Sequence, residues 1–203
     1  NELIARGYDY PCDLYFEGSD QYRGWFNSSL IVSTAVNGTA PYREVLSHGY
    51  VCDSKGEKMS KSVGNVVNPM DIINKNGADV FRLWAMTSDF KEDLKLGPSN
   101  IKQVSDQYRK VRNTFRFLLG NLNAADFDPK KDMVSYENLE PVDQYIMIEL
   151  NRVIEKTVSS VLEYDYIDAN KTLVNFMTNE LSSYYCDFTK DILYCEAKDS
   201  KRR

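Results

Sequence analysis

The chain of 203 residues is long enough for one large domain or two small ones, each with its own core. Its 42% hydrophobic and 27% charged content is ordinary for a soluble globular protein, and no apolar run approaches the roughly 18 residues of a membrane span. The formal charge of −5 argues against binding nucleic acid through overall positive charge, although local basic patches remain compatible with it.

The N-terminus and the cysteines lead to two further expectations. The sequence begins with Asn1 rather than Met and lacks the pattern of a signal peptide, so it reads as a chain cut out of something longer. The cysteines form no C-x-x-C pair and no Cys/His cluster, which predicts free thiols in a reducing cytoplasm and neither a disulfide framework nor a zinc site. They are Cys12, Cys52, Cys186 and Cys195.

The first half of the chain alternates strand-like and helical patterns. Residues 13–17 and 44–52 are rich in residues that suit strands. A helix is predicted between them, with Ser19 or Asp20 capping its start and Gly38 ending it. Strand, helix and strand in this order favour a parallel α/β unit.

Two shorter helices are predicted next. In the sequence NPMDIINKNG, Asn68 is the expected cap, Pro69 stands in the first turn and Gly77 is the expected stop. The apolar run ADVFRLWAMTSDF, residues 78–90, predicts a second helix directly after it.

From Gly97 onward the pattern is helical. A polar link over residues 123–141 predicts a long surface loop, and helical spacing resumes over 142–164 and 167–194. The fold class is therefore α/β in residues 1–97 followed by an all-α bundle in 98–203. In the first long helix a core-facing stripe is predicted at Ile101, Val104, Tyr108, Val111, Phe115 and Leu118.

A loop with two lysines, KMSKS at 58–62, raises the question of function. Lys58 and Lys61 are compact cations suited to a multiply charged phosphate, and serine hydroxyls and flexible backbone amides can complete such a site. Positive charge placed where pyrophosphate departs would stabilise the transition state. The alternative is a polar turn whose lysines are simply solvated, and composition leaves both interpretations open.

Letter by letter, KMSKS matches the second nucleotide-binding motif of the class I aminoacyl-tRNA synthetases. The segments YFEGSDQYRGWFNSSL (15–30) and VLSHGY (45–50) lie upstream at a fitting distance, and with KMSKSVGNVVNPMDII they resemble the isoleucyl branch of that family. Valyl, leucyl and methionyl branches share the lysine loop but differ at EGSDQYRGWF. The first family motif, H-I-G-H, and the editing insertion are absent from the sequence.

The resemblance implies the C-terminal part of a Rossmann-like nucleotide-binding catalytic domain in 1–97, followed by part of a helical anticodon-binding domain in 98–203. It implies ATP-dependent activation of isoleucine, with Mg²⁺, release of pyrophosphate and transfer to tRNA(Ile), in a cytoplasmic, monomeric parent protein without membrane contact or zinc in this part. The isolated chain is expected to be inactive. The alternatives are another class I synthetase such as the valyl enzyme, or a non-catalytic tRNA-binding module that kept the loop.

The resemblance also assigns residues. Lys58 and Lys61 would act on the phosphates, with Lys61 the direct contact to ATP, and Trp25 would form a wall of the amino-acid pocket unless it is ordinary core. Residues implied for ATP and adenylate are Glu17, Gly18, Asp20, Gln21, His48, Gly49, Val51, Met59, Ser60, Lys61 and Ser62. Residues that could touch tRNA phosphates, or equally form a solvated helix face, are Arg109, Lys110, Arg112 and Arg116.

Overall fold

The computed structural model describes residues 5–122, 127–128, 130–197, 200 and 202–203. The chain divides into two compact units. The first comprises Asn1–Asn68 and Ser88–Pro98, and the second comprises Pro69–Thr87 and Ser99–Arg203. The predicted polar link of 123–141 lies partly outside the described residues; its described part contains a 3₁₀ turn at Tyr136–Asn138.

The first unit contains the predicted strand, helix and strand. Strand β1 (Cys12–Gly18) pairs in parallel with β2 (Tyr42–His48), in a register that runs from Cys12↔Tyr42 to Gly18↔His48. Helix α1 (Trp25–Asn37) connects the two strands and ends at Gly38, whose left-handed φ of 71° confirms the predicted stop. The carboxyl ends of β1 and β2 consequently lie side by side.

The start of α1 differs from the prediction. Neither Ser19 nor Asp20 caps it, because a 3₁₀ turn of five residues begins at Ser19 and the non-helical Gly24 separates this turn from the α-helix. The backbone N–H of Trp25 instead donates to the side-chain oxygen of Gln21 at 3.0 Å. Gly24 interrupts the helical dihedrals, so the side chain of Gln21, rather than that of Ser19 or Asp20, pairs with an N–H of the first helical turn.

The predicted second strand is divided into two. Strand β2 ends at His48, and Val51–Cys52 form a short strand, β3, that pairs in parallel with β4 (Leu94–Lys95). The break occurs at Gly49, whose N–H donates to the carbonyl of Phe90 at 2.9 Å. A Cβ there would lie 2.8 Å from the backbone nitrogen of Asp93, so the close approach of the two segments requires glycine.

The second unit is helical, as predicted from the spacing of apolar residues. Pro69 opens the first of its helices, and Gly77, with φ of 95°, follows the last residue of that helix. The long helix predicted over 167–194 keeps a helical path but changes its hydrogen-bond pattern in the middle. The elements are α2 (Pro69–Asn76), α3 (Ala78–Met86), α4 (Pro98–Asn121), α5 (Pro141–Leu162), α6 (Tyr166–Asn175), a π-helical segment (Phe176–Tyr185) and α7 (Cys186–Cys195).

The predicted apolar stripe of α4 is correct except at Phe115. Ile101 and Val104 are buried and Tyr108, Val111 and Leu118 are half-buried, but Phe115 is 52% exposed and Thr114 is buried in its place. The Thr114 hydroxyl donates to the carbonyl of Lys110 at 3.0 Å, so its burial leaves no unpaired polar atom. The core of this unit is formed by Val80, Trp84, Ile101, Val104, Ile146, Ala169, Phe176, Met177 and Cys186.

Candidate functional site

The adjacent carboxyl ends of β1 and β2 bring several of the predicted site residues together. Gly18 pairs with His48 and is buried, and a Cβ on Gly18 would meet the carboxylate of Asp20 at 2.7 Å. The Gln21 amide donates to the same carboxylate at 3.2 Å. Glu17 and Asp20 are both exposed at this edge. The turn after β1 therefore presents carboxylate oxygens directly beside the end of β2.

His48 is held in place rather than left free. Its Nδ1 lies 2.7 Å from the carbonyl oxygen of Gly49, and its ring meets Phe16 edge-on at 5.0 Å. Both contacts fix the ring at the end of β2. Such packing suits a residue that shapes a binding surface.

The lysine loop directly follows a tight hairpin turn that begins after β3. Lys58 forms an antiparallel bridge with Cys52, and the Asp53 N–H donates to the carbonyl of Glu57 at 2.9 Å. One carboxylate oxygen of Asp53 accepts from the N–H groups of Lys55 and Glu57, both at 2.9 Å. This side chain therefore organises the turn that precedes the loop.

Asn65 closes the loop from its far side, a role that the sequence analysis missed. Its side-chain nitrogen donates to Asp53 Oδ2 at 3.0 Å and to the carbonyl of Lys58 at 3.3 Å. Its side-chain oxygen accepts from the N–H of Ser60 at 2.9 Å. The hydrogen bond from Asn65, followed by that from Glu57, lowers the pKa of Asp53. The signal available in the sequence was an asparagine directly after Gly64, where the loop must turn.

The motif residues between the lysines support the same backbone. The Ser60 hydroxyl accepts from the N–H of Val63 at 3.2 Å and lies 3.1 Å from the Ser62 hydroxyl. Met59 is half-buried, and its sulfur accepts from the N–H of Val67 at 3.5 Å. Ser60, Ser62 and Met59 thus shape the loop from within.

The two lysine side chains remain exposed on this organised backbone. Within the described part of the chain, neither Lys58 nor Lys61 forms an ion pair. The Lys58 ammonium lies 5.2 Å from the centre of the Tyr50 ring. Two cations without a carboxylate partner, on a loop fixed by several hydrogen bonds, are suited to receive a polyanion.

Tyr50 is the second residue that the sequence analysis missed. Partial desolvation, then the negative charge of Asp20, raises the pKa of the Tyr50 hydroxyl. Because the Lys58 ammonium lies over the same ring, Tyr50 is a neighbour of the lysine loop. Its neighbour Val51, implied for nucleotide contact, is exposed in β3.

Trp25 and the basic residues of α4 are placed as follows. The Trp25 ring stacks on Tyr15 with centroids 4.2 Å apart and is 45% exposed, so it is not ordinary core. On α4, Arg109 pairs with Asp106 at 3.1 Å. The other three predicted cations of that helix, Lys110, Arg112 and Arg116, are also exposed.

The described residues contain no group of three or more His, Cys, Asp or Glu side chains that could hold a metal ion. None of their helices combines the length and the apolar character needed to span a membrane.

Two family models match the chain. The model for class I tRNA synthetases (I, L, M and V) matches residues 5–97. The model for the anticodon-binding domain of tRNA ligase matches residues 143–203.

Curated relatives are similar over nearly the whole chain. The isoleucine–tRNA ligase of Lactiplantibacillus plantarum is 52% identical over 99% of this chain and 22% of its own length. That of Bacillus licheniformis is 54% identical over 95% of the chain and 21% of its own length. The chain thus spans about a fifth of the length of these relatives.

Solved structures share the fold. A Mycobacterium tuberculosis methionyl-tRNA synthetase in complex with methionyl-adenylate superposes with a TM-score of 0.71 at 18% identity, covering all of this chain and 39% of its own. An Agrobacterium radiobacter K84 LeuRS in a ternary complex with tRNA and LeuAMS gives a TM-score of 0.69 at 21% identity, over 82% of this chain and 22% of its own.

Proposed function

We propose that the chain belongs to the class I aminoacyl-tRNA synthetase family and supplies the lysine-loop part of an isoleucine–tRNA ligase. That enzyme joins isoleucine to ATP with release of pyrophosphate and then transfers the isoleucyl group to tRNA(Ile). Identity of 52% over 99% of the chain to an isoleucine–tRNA ligase supports this specificity over the valyl alternative.

One observation carries the proposal. Lys58 and Lys61 stand exposed and without carboxylate partners in the described structure, on a backbone held by Asp53 and Asn65. Charge that is already in position when pyrophosphate develops its negative charge lowers the barrier without reorganisation of the loop backbone. Lys61 makes the direct contact to ATP, and Lys58 supports it. ATP would bring Mg²⁺ with it, which would neutralise part of the phosphate charge.

The carboxyl edge of β1 and β2 is the proposed site of the adenylate. Ligands of open α/β sheets bind outside the carboxyl ends of the strands, and the glycine at 18 lets a ligand approach the backbone. Exposed carboxylates of Glu17 and Asp20 would accept from ribose hydroxyls or from the substrate ammonium group. The other adenylate contacts in this proposal are Gln21, His48, Gly49 and Val51. The sheet would then be the second half of a Rossmann-like nucleotide fold.

The amino-acid pocket is proposed at Trp25. Its flat ring, held by the stack on Tyr15, offers an aliphatic side chain apolar contact without a hydrogen bond. One methylene separates isoleucine from valine and is worth only about 1–3 kcal/mol, so the pocket by itself discriminates weakly.

The domain division proposed is 1–97 for the catalytic part and 98–203 for the anticodon-binding part. The family matches at 5–97 and 143–203 support it. In this proposal the exposed cations of α4 contact tRNA phosphates, which position the tRNA without reading its sequence.

The test is isoleucine-dependent ATP–pyrophosphate exchange by the protein expressed from the complete reading frame. Exchange should be led by isoleucine over valine, leucine and methionine. Lys61→Ala should lower kcat by about 100-fold or more, the usual loss when one preorganised contact to developing charge is removed. Lys55→Ala, an exposed lysine of the preceding hairpin, is the matched control and should leave the rate unchanged.

Each other outcome decides against part of the proposal. Exchange led by another amino acid would assign the chain to a sister synthetase. A Lys61→Ala variant as active as Lys55→Ala would remove the loop from the reaction. A folded protein without exchange for any of the four amino acids would favour the tRNA-binding module.

A further inference from the structure

Tyr50 has an unusually well-fixed backbone for an exposed residue. Its N–H donates to Asp93 Oδ1 at 2.7 Å, and its carbonyl accepts from the N–H of Leu94 at 2.7 Å. The preceding Gly49 is held by Phe90 and leaves no room for a Cβ beside the backbone at Glu92. The direction in which the Tyr50 side chain leaves the backbone is therefore determined by contacts on both sides.

The Tyr50 side chain is 39% exposed, and a lysine lies over its ring. The Lys58 ammonium lies 5.2 Å from the ring centre, within the distance of a cation–π interaction. Because the backbone of Tyr50 is held on both sides, its ring offers this ammonium a fixed surface.

We infer that Tyr50 is a positioning residue that orients Lys58 through its ring. The inference rests on the proposed function, because it gives that lysine a triphosphate to bind. The ring keeps the ammonium available to an anion, since a π face attracts a cation without neutralising its charge. Pairing with a carboxylate would instead neutralise the lysine before the substrate arrives.

The test separates the ring from the hydroxyl. In the protein from the complete reading frame, kcat/KM for ATP is measured in pyrophosphate exchange for Tyr50→Phe and Tyr50→Leu, which differ in the ring alone. The Phe variant should exceed the Leu variant by about two- to fivefold, the strength of an exposed cation–π contact. In a Lys58→Gln background this difference should vanish, because the ring has lost its cation.

The hydroxyl serves as an internal control. Tyr50→Phe keeps the ring and loses only the hydroxyl, so it should stay close to wild type. Tyr8→Leu, a substitution of an exposed tyrosine in the same unit, is the matched control and should equal wild type. Thermal melts of every variant establish that the comparison is made on folded protein.

The outcomes distinguish this inference from the proposed function. If the Phe-to-Leu difference persists unchanged in Lys58→Gln while Lys58→Gln itself lowers kcat/KM, the ring does not act through the lysine and the inference is wrong. If Lys58→Gln equals wild type, the proposed role of the lysine loop fails first. Tyr50→Phe and Tyr50→Leu proteins with equal kcat/KM would likewise overturn the inference.

Discussion

Replacing Asn65 by alanine should loosen the lysine loop without removing either lysine. The substitution deletes the acceptor for Ser60 N–H at 2.9 Å and the donor to both Asp53 Oδ2 at 3.0 Å and the Lys58 carbonyl at 3.3 Å. At about 0.5–1.5 kcal/mol net for each of the three hydrogen bonds, the observed loop conformation loses about 1.5–4.5 kcal/mol. Its population relative to open conformations should then fall by at least about 10-fold.

The assay is isoleucine-dependent pyrophosphate exchange with the protein from the complete reading frame. If ATP binds the observed conformation, kcat/KM for ATP should fall in Asn65→Ala by a similar factor, while the melting temperature changes little. Asn27→Ala, on the exposed face of α1, is the matched control. A folded Asn65→Ala protein with the kinetics of wild type would refute the idea that this loop is preorganised by Asn65.

Three other predictions concern separate parts of the chain. Gly49→Ala should lower the melting temperature, because a Cβ forced against the backbone at Glu92 and Asp93 costs about 1–3 kcal/mol. Gly120→Ala is the control: the space around Gly120 in α4 is open, so this substitution should be neutral or stabilising. Asp168, whose pKa is lowered by hydrogen bonds from Lys156 and then Ser160, stabilises the fold above its unfolded pKa and loses that contribution as pH falls through its lower folded value. An Asp168→Asn protein should therefore show a weaker decline of melting temperature on acidification, and an unchanged decline would contradict the assignment. Arg112→Gln should reduce the salt dependence of tRNA binding, measured as the slope of log K against log salt, by up to about 1. Arg109→Gln should have less effect, because Asp106 already pairs with Arg109. Equal effects of the two substitutions would contradict the proposed difference between the two arginines.

Local signals explain why the main elements were predictable. Gly38 and Gly77 end helices because each adopts a positive φ that other residues avoid, and Pro69 opens a helix where no N–H is needed. The lysine motif was recognisable because its letters are contiguous. Such features depend on neighbours in sequence, which the sequence displays directly.

The sequence-based predictions were wrong where the local structure depends on residues that are distant in the sequence. The division of residues 44–52 depends on the segment around Glu92, more than forty residues later in the numbering, which comes so close to Gly49 that the strand must break. Phe115 has the spacing of a core residue, but the surroundings of α4 bury Thr114 instead. Ser19 and Asp20 have the chemistry of helix caps, but Gly24 moves the start of the helix beyond their reach.

Asn65 and Tyr50 were missed for a further reason, which bears on how the site works. Neither carries the chemistry of the proposed reaction, and each acts by holding a group that does. Asn65 fixes the loop backbone, and the Lys58 ammonium lies over the Tyr50 ring instead of pairing with a carboxylate of the described residues. Fixed backbone and unpaired charge together are what electrostatic stabilisation of a departing pyrophosphate requires. A loop with the same two lysines but without these supports would have to be ordered by the substrate, and part of the binding free energy would be consumed in that ordering.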